Sequence, residues 1–235
     1  MKVPLTCMKC LMERGVDGVQ TFISPINDNR YFELTCQRGH KTFVMLQNPK
    51  HEVLFEIGLN ALIDGYPREA ISSFESCLEV FYEFCIRRLA AYKGLDSDQF
   101  EKTWKAVSLS ERQIGAFAML GLFLFESAPI LLNEKCIRLR NKVIHQGKIP
   151  SFDEVLDYGE RVVECISCNL KKISDLMGED LDYVFMSDFY DRARAEKESV
   201  NCLAIATTIG WPDLIRGKQI NLRTRVKEMT MMRIR

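Results

Sequence analysis

The chain has 235 residues, 47% of them hydrophobic and 27% charged, with 32 Lys and Arg balancing 32 Asp and Glu. This length suits one medium domain or a small module joined to a larger one, and the composition is that of an ordinary globular protein. Zero net charge excludes a strong global attraction to nucleic acid or membrane, although residues 216–235 hold seven cations against Glu228 alone, a local charge of +6.

The nine cysteines, Cys7, Cys10, Cys36, Cys77, Cys85, Cys136, Cys165, Cys168 and Cys202, are an odd number. Most lie in apolar helical patterns, which argues against a secreted disulfide framework and for a reducing cytosol. Residues 1–10 lack the apolar core of a signal peptide. The longest apolar run, 114–125, is too short to cross a bilayer and reads as a buried helix. The expectation is a soluble cytoplasmic protein with no membrane partner.

In chain order, residues 31–34 and 41–46 are rich in aromatic and β-branched types and flank the turn Gln37-Arg38-Gly39. Two short strands around a turn are predicted there, as a zinc ribbon requires. After Pro49 the pattern becomes helical. Helices are expected over 52–63, ending at Gly65, and over 67–93, with Pro67 in the first turn and Gly94 as C-terminal cap. The stretch from Gly65 to Ala70 resembles a tetratricopeptide helix, but no second copy follows. Ser110-Glu111-Arg112-Gln113 has capping-box form before the 114–125 helix, Pro129 is expected to open a helix reaching Gly147, and Ser151-Phe152-Asp153-Glu154 is a second capping box before a helix to about 177. A charged helix is expected over 179–198. Ile220, Leu222, Thr224 and Val226 alternate with Asn221, Arg223, Arg225 and Lys227, which predicts a strand with one basic face.

Cys7-x-x-Cys10 and Cys36-x-x-x-His40 are two ligand pairs at ribbon spacing. Three thiolates and an imidazole suit tetrahedral zinc, and a segment of this size has too little core to fold without such help. Four protein ligands close the coordination sphere, so the metal is expected to be structural. Cys165-x-x-Cys168 has no second ligand pair, and the two read as ordinary thiols on a helix.

The run from Cys136 to Gly147 is the most informative chemically. On a helix, Leu132, Cys136, Leu139 and Val143 form an apolar stripe, while Arg138, Asn141 and His145 share a line roughly opposite it. Ile137 and Ile144 flank that line and suit a partner surface. A solvated polar face is the plainer reading of the same residues.

Arg140-Asn141-x-x-x-His145-x-Gly147, late in an all-helical segment and before a capped amphipathic helix, resembles the HEPN superfamily, the higher-eukaryote and prokaryote nucleotide-binding domain. The resemblance covers about residues 52–177. Arg138 and Arg140 both satisfy the family's Arg-x(4–6)-His spacing, and the adjacent Asn141 favours Arg140. The resemblance implies a metal-independent endoribonuclease that works as a homodimer, in toxin–antitoxin or other anti-phage systems, with an antitoxin or sensor partner outside this chain. Some members are inactive binding modules. It assigns His145 as general acid/base for attack of a ribose 2′-OH on the adjacent phosphate, Arg140 to the developing phosphoryl charge and Asn141 to orientation, giving a 2′,3′-cyclic phosphate. Arg140 and His145 lie about 140° apart around one helix, an angle that suits pairing across a dimer.

Glu75 and Glu79, on the long second helix, are candidate auxiliary acids, as is Arg138 an auxiliary cation; solvated face residues are the alternative for the two acids. Arg223, Arg225 and Lys227 offer RNA phosphate contacts, with Trp211 for base stacking, or else blunt an exposed strand edge. Together these readings give a mainly α protein: a zinc ribbon over 1–49, a HEPN-like bundle over 50–177, and over 178–235 a charged helix and basic extension with a strand. The ribbon would recognise RNA or a protein, or help position the dimer. The competing readings are a non-catalytic dimerising module and a tetratricopeptide-type adaptor.

Overall fold

The computed structural model describes residues 1–196 and 198–234, leaving out the side chains of Ser110 and Ile234; Arg235 of the basic end lies outside the described residues. The elements in order are β1 (Lys2–Thr6), α1 (Met8–Arg14), β2 (Thr21–Pro25), β3 (Tyr31–Thr35), β4 (Lys41–Leu46), α2 (Lys50–Ile63), α3 (Pro67–Tyr92) and α4 (Ser97–Val107). They continue with α5 (Ser110–Phe125), α6 (Glu134–Gln146), α7 (Phe152–Met177), α8 (Leu181–Ala195), β5 (Val200–Leu203), α9 (Trp211–Ile215) and α10 (Leu222–Ile234). The protein is therefore mainly α with small sheets near its N-terminus and one strand near its C-terminus. No helix among the described residues is long and apolar enough to cross a membrane.

Two compact units form, Met1–Asn48 with Met186–Ala206, and Pro49–Phe185 with Thr207–Arg235. Residues 178–235 are thus shared between the units and do not stand apart as a third.

In the first unit, β1 pairs antiparallel with β2, while β3, β4 and β5 form a second sheet, β3 antiparallel and β5 parallel to β4. Alternation along the strands turns Val3 and Leu5 of β1, Phe32 and Leu34 of β3 and Val44 of β4 into one small core. Asn48 fixes the return of the chain beside β4, its side chain donating to Ile205 O at 3.0 Å and accepting from Ile205 N at 2.8 Å.

The second unit is built on α3. Helix α2 packs on it as a hairpin, with Gly58 so close to Phe74 that a Cβ at Gly58 would lie 2.6 Å from the ring. Ile71, Phe74, Leu78, Phe81, Tyr82 and Leu89 of α3 are buried with Val155, Tyr158, Val162 and Ile166 of α7, and Phe117 of α5 stacks on Tyr82 at 4.8 Å. Burying each such large side chain contributes about 1.5–3 kcal/mol. The Ser151 capping box closes in both directions, Ser151 Oγ accepting from Glu154 N at 3.2 Å and Glu154 accepting from Ser151 N at 2.9 Å.

Two elements differ from the sequence expectation. The segment from Ser127 to Asn133 is not helical: buried Asn169 of α7 brackets the Ile130 backbone, accepting from its N–H at 3.0 Å and donating to its carbonyl at 2.8 Å, and Asn133 then caps α6 through Cys136 N at 3.0 Å. Helix α5 does begin at Ser110, but the side chain on which its capping box depends lies outside the described residues. Residues 222–234 are a helix, not a basic strand. Asn221 Oδ1 accepts from Thr224 N at 2.9 Å to start it, and Leu222 and Val226, four apart, bury on the bundle. Four-residue spacing lies within a two-residue alternation, so the pattern was compatible with both.

Candidate metal centre and candidate active cleft

Cys7, Cys10, Cys36 and His40 converge in the first unit, with all four ligand atoms within 4.8 Å of one another. Cys36 and His40 stand at the turn between β3 and β4, closed by Cys36 N to His40 O at 3.0 Å and by Gly39 N to Cys36 O at 2.8 Å. Gly39 supplies the positive φ of 79° that this turn needs. Cys7 and Cys10 do not lie on a strand-flanked turn like that of the second ligand pair: Cys7 is the N-cap of α1 and Cys10 lies in its first turn. Both sulfurs therefore lie at a helix N-terminus, where the backbone dipole favours negative charge.

Three of the spacings are close to those of a tetrahedral site. Cys10 Sγ is 3.7 Å from Cys36 Sγ and 3.5 Å from His40 Nδ1, and Cys7 Sγ is 3.9 Å from His40 Nδ1. Metal–sulfur bonds of about 2.3 Å and metal–nitrogen bonds of about 2.0 Å put sulfurs about 3.8 Å apart and sulfur about 3.5 Å from nitrogen. The cluster can hold a metal ion.

Its electrostatics agree. Burial works to raise the Cys7 thiol, but hydrogen bonds from the Cys10 backbone, Thr42, His40 and Cys10 outweigh it and bring Cys7 down to about 6. Cys10 is pushed up to about 11, by burial first and then by the neighbouring Cys7 and Cys36. One thiolate is favoured and a second beside it is resisted, a balance that a divalent cation between the sulfurs reverses.

The second unit places Arg140, Asn141 and His145 on the wall of one cleft of about 520 Å³, together with Glu75, Glu79, Tyr82, Glu111, Ile114 and Ile137. Arg140 is held firmly. Its Nε lies 2.9 Å and its Nη2 2.8 Å from Glu75 Oε1, and Nη1 donates to Asn141 Oδ1 at 2.9 Å. Buried Tyr158 donates to the other oxygen of Glu75, and burial, then the Glu75 charge, drives the phenol well above its usual range. His145 is exposed in the last turn of α6, which ends at Gly147 with a φ of 71° and with Lys148 N reaching back to Lys142 O at 3.0 Å.

No family model, curated protein or solved structure matches the chain. The reading of both sites therefore rests on their residues.

Arg138 is not brought to this wall. It lines a separate groove of about 600 Å³ between α6 and α7, among Lys135, Lys142, Asp157 and Glu164, and pairs with Glu134 at 2.8 Å. Nor do Arg223, Arg225 and Lys227 make one basic face. On α10 consecutive alternate residues point roughly opposite ways, Arg223 pairs with Asp153 at 2.7 Å, and Arg225 donates to Thr208 Oγ1 at 3.1 Å. Trp211 is buried against Phe185, with ring centroids 5.1 Å apart, and is closed to base stacking. Cys165 is buried while Cys168 is exposed, as two separate thiols would be, and burial raises Cys165 to about 12.

The sequence marks Glu75 as a candidate auxiliary acid or else a solvated residue, and leaves its buried partner Tyr158 unmarked. The signal was present: Ile71, Glu75, Leu78 and Tyr82 recur at helical spacing, and a carboxylate inside an apolar stripe needs a buried cation or donor. All four are buried.

Proposed function

We propose that the bundle is a metal-independent endoribonuclease and that the first unit holds one structural zinc ion. The supporting observation is the single cleft wall that carries Arg140, Asn141 and His145 together. His145, exposed at its mouth, takes the proton of a ribose 2′-OH as that oxygen attacks the adjacent phosphate, and a proton then passes to the leaving 5′ oxygen. The products are a 2′,3′-cyclic phosphate and a 5′-hydroxyl. Arg140 faces the phosphoryl oxygens: beyond the hydrogens directed at Glu75 and Asn141, each terminal nitrogen carries a second N–H. Glu75 and Tyr158 hold that guanidinium in place. Half-exposed Ile137 lines the cleft, and with half-exposed Ile144 on the same helix it suits a second copy of the chain, in keeping with a homodimer. The resemblance to HEPN ribonucleases extends the proposal to a cytoplasmic toxin or anti-phage effector restrained by an antitoxin or sensor. For the metal, three cysteines and one histidine at tetrahedral spacing favour zinc over harder ions.

The test is RNA cleavage by purified protein with EDTA present, with product ends identified by mass spectrometry. Wild type should leave cyclic phosphates, and His145→Ala should leave RNA intact while keeping its circular dichroism spectrum. Intact RNA from both proteins would reject the nuclease. A second reading, a non-catalytic dimerising module, is favoured by the engagement of Arg140 with Glu75 on α3, which is also what a purely structural ion pair looks like. Elemental analysis should find one zinc per chain, none if any two ligands are replaced by serine or alanine.

A further inference from the structure

The imidazole of His40 is held between two partners. Its Nδ1 faces the sulfurs of Cys7 and Cys10, at 3.9 and 3.5 Å, while Nε2 on the far side of the ring lies 3.6 Å from Glu13 Oε1. Glu13 belongs to α1, the helix that carries Cys10, so the acid and a sulfur ligand share one rigid element. Its other carboxylate oxygen accepts from Arg38 Nη1 at 2.7 Å, and Arg38 stands two residues before His40 in the β3–β4 turn. The carboxylate is thus positioned by the same two segments that supply the ligands.

We propose that Glu13 is the outer-sphere carboxylate of the metal centre and that His40 binds the metal through Nδ1. Once Nδ1 gives its lone pair to a metal, the remaining ring proton must sit on Nε2. A carboxylate facing that proton fixes the tautomer, holds the ring plane toward the ion and makes the imidazole a better donor. Two features of the cluster leave Nδ1 as the ligating nitrogen. It is the ring nitrogen within tetrahedral distance of the sulfurs, and Nε2 faces an acid that metal coordination there would leave without its N–H. Arg38 balances the negative charge that three thiolates and Glu13 bring together.

The proposal rests on the zinc reading above and is independent of ribonuclease activity. The experiment uses the full chain loaded with Co2+, whose absorption reports tetrahedral sulfur coordination, and measures affinity by chelator competition. Glu13→Ala should keep the tetrahedral spectrum but lose Co2+ affinity by about 10- to 100-fold. Glu13→Gln, whose amide oxygen can accept from Nε2 without the charge, should lose less. Arg38→Ala separates the carboxylate's action on the ring from the mere loss of its ion pair, and should cost less affinity than Glu13→Ala. Long-range 1H–15N spectra of the Zn2+-loaded protein should show His40 metallated at Nδ1 with its proton on Nε2. Unchanged affinity in Glu13→Ala, an equal loss in Arg38→Ala, or metallation at Nε2 would overturn the proposal. Wild type that takes up no Co2+ would instead remove the metal reading beneath it.

Discussion

Glu75 shows how much one side chain decides in the bundle. It is 9% exposed, yet it is a carboxylate, and it is tolerated because Arg140 neutralises one oxygen and Tyr158 donates to the other. Removing it as Glu75→Ala leaves a half-buried guanidinium and a buried phenol without their acceptor, which should cost about 3 kcal/mol. Tyr158→Phe removes a single donor and should cost about 1 kcal/mol. Urea unfolding should report both as shifts in midpoint at constant slope. In the nuclease reading Tyr158→Phe also lowers cleavage, because Arg140 is then less well held; in the structural reading it moves stability alone. Gly58 tests the opposite kind of constraint. A methyl group there meets Phe74 at 2.6 Å, so Gly58→Ala should destabilise by about 1–3 kcal/mol although alanine is the better helix former.

Among the elements, α7 has the clearest start. Ser151→Ala removes the cap on its third backbone N–H and should cost about 1 kcal/mol by thermal or urea unfolding. Its partner Glu154 gives a pH dependence with a definite sign. A hydrogen bond from Lys148, then that from the Ser151 backbone, hold its carboxyl below the usual 4.5. A carboxyl lower in the folded than in the unfolded state adds stability above the unfolded value and loses it as pH falls through the folded one. Wild type should therefore exceed Glu154→Gln in stability by a constant amount above about pH 5, with the gap closing below pH 4.5. This capping box was legible because its chemistry is local: four adjacent residues contain every group involved. So were β3, β4, α2, α3 and the Cys7, Cys10, Cys36 and His40 cluster that can hold a metal ion, each marked by its own spacing. What escaped the sequence depends on distant partners. The Ile130 segment looks like a helix start after Pro129 until Asn169, 39 residues later, claims its backbone. β5 is four residues long and owes its existence to β4, with Val44 facing Asn201 in parallel register. Cys7 and Cys10 were legible as ligands, but their helical setting was not, since Met8–Arg14 is a single short amphipathic piece.

At the scale of the whole chain, the two units differ in what holds them together, and this has a measurable consequence. The second unit has a continuous apolar core running through α3, α5, α7 and α9, and needs no metal to bury it. The first has a cluster of five buried apolar side chains, Val3, Leu5, Phe32, Leu34 and Val44, and beside it the Cys7, Cys10 and Cys36 sulfurs. An apolar cluster that small recovers only a fraction of the chain entropy of its strands, about 1–2 kcal/mol per ordered residue, so in the zinc reading proposed above a bound metal supplies much of the rest. Stripping the metal with a strong chelator should then raise amide exchange in β1 to β4 and β5 by several orders of magnitude, while amides of α3 and α7 keep their protection. Acid should act in the same direction as the chelator, because protons compete with the metal for the sulfurs, and metal release on lowering the pH should precede loss of bundle helicity. Hydrogen exchange read by mass spectrometry resolves the two units directly. Equal loss of protection in both would mean that the bundle depends on the metal as well, and that the chain unfolds as one cooperative structure.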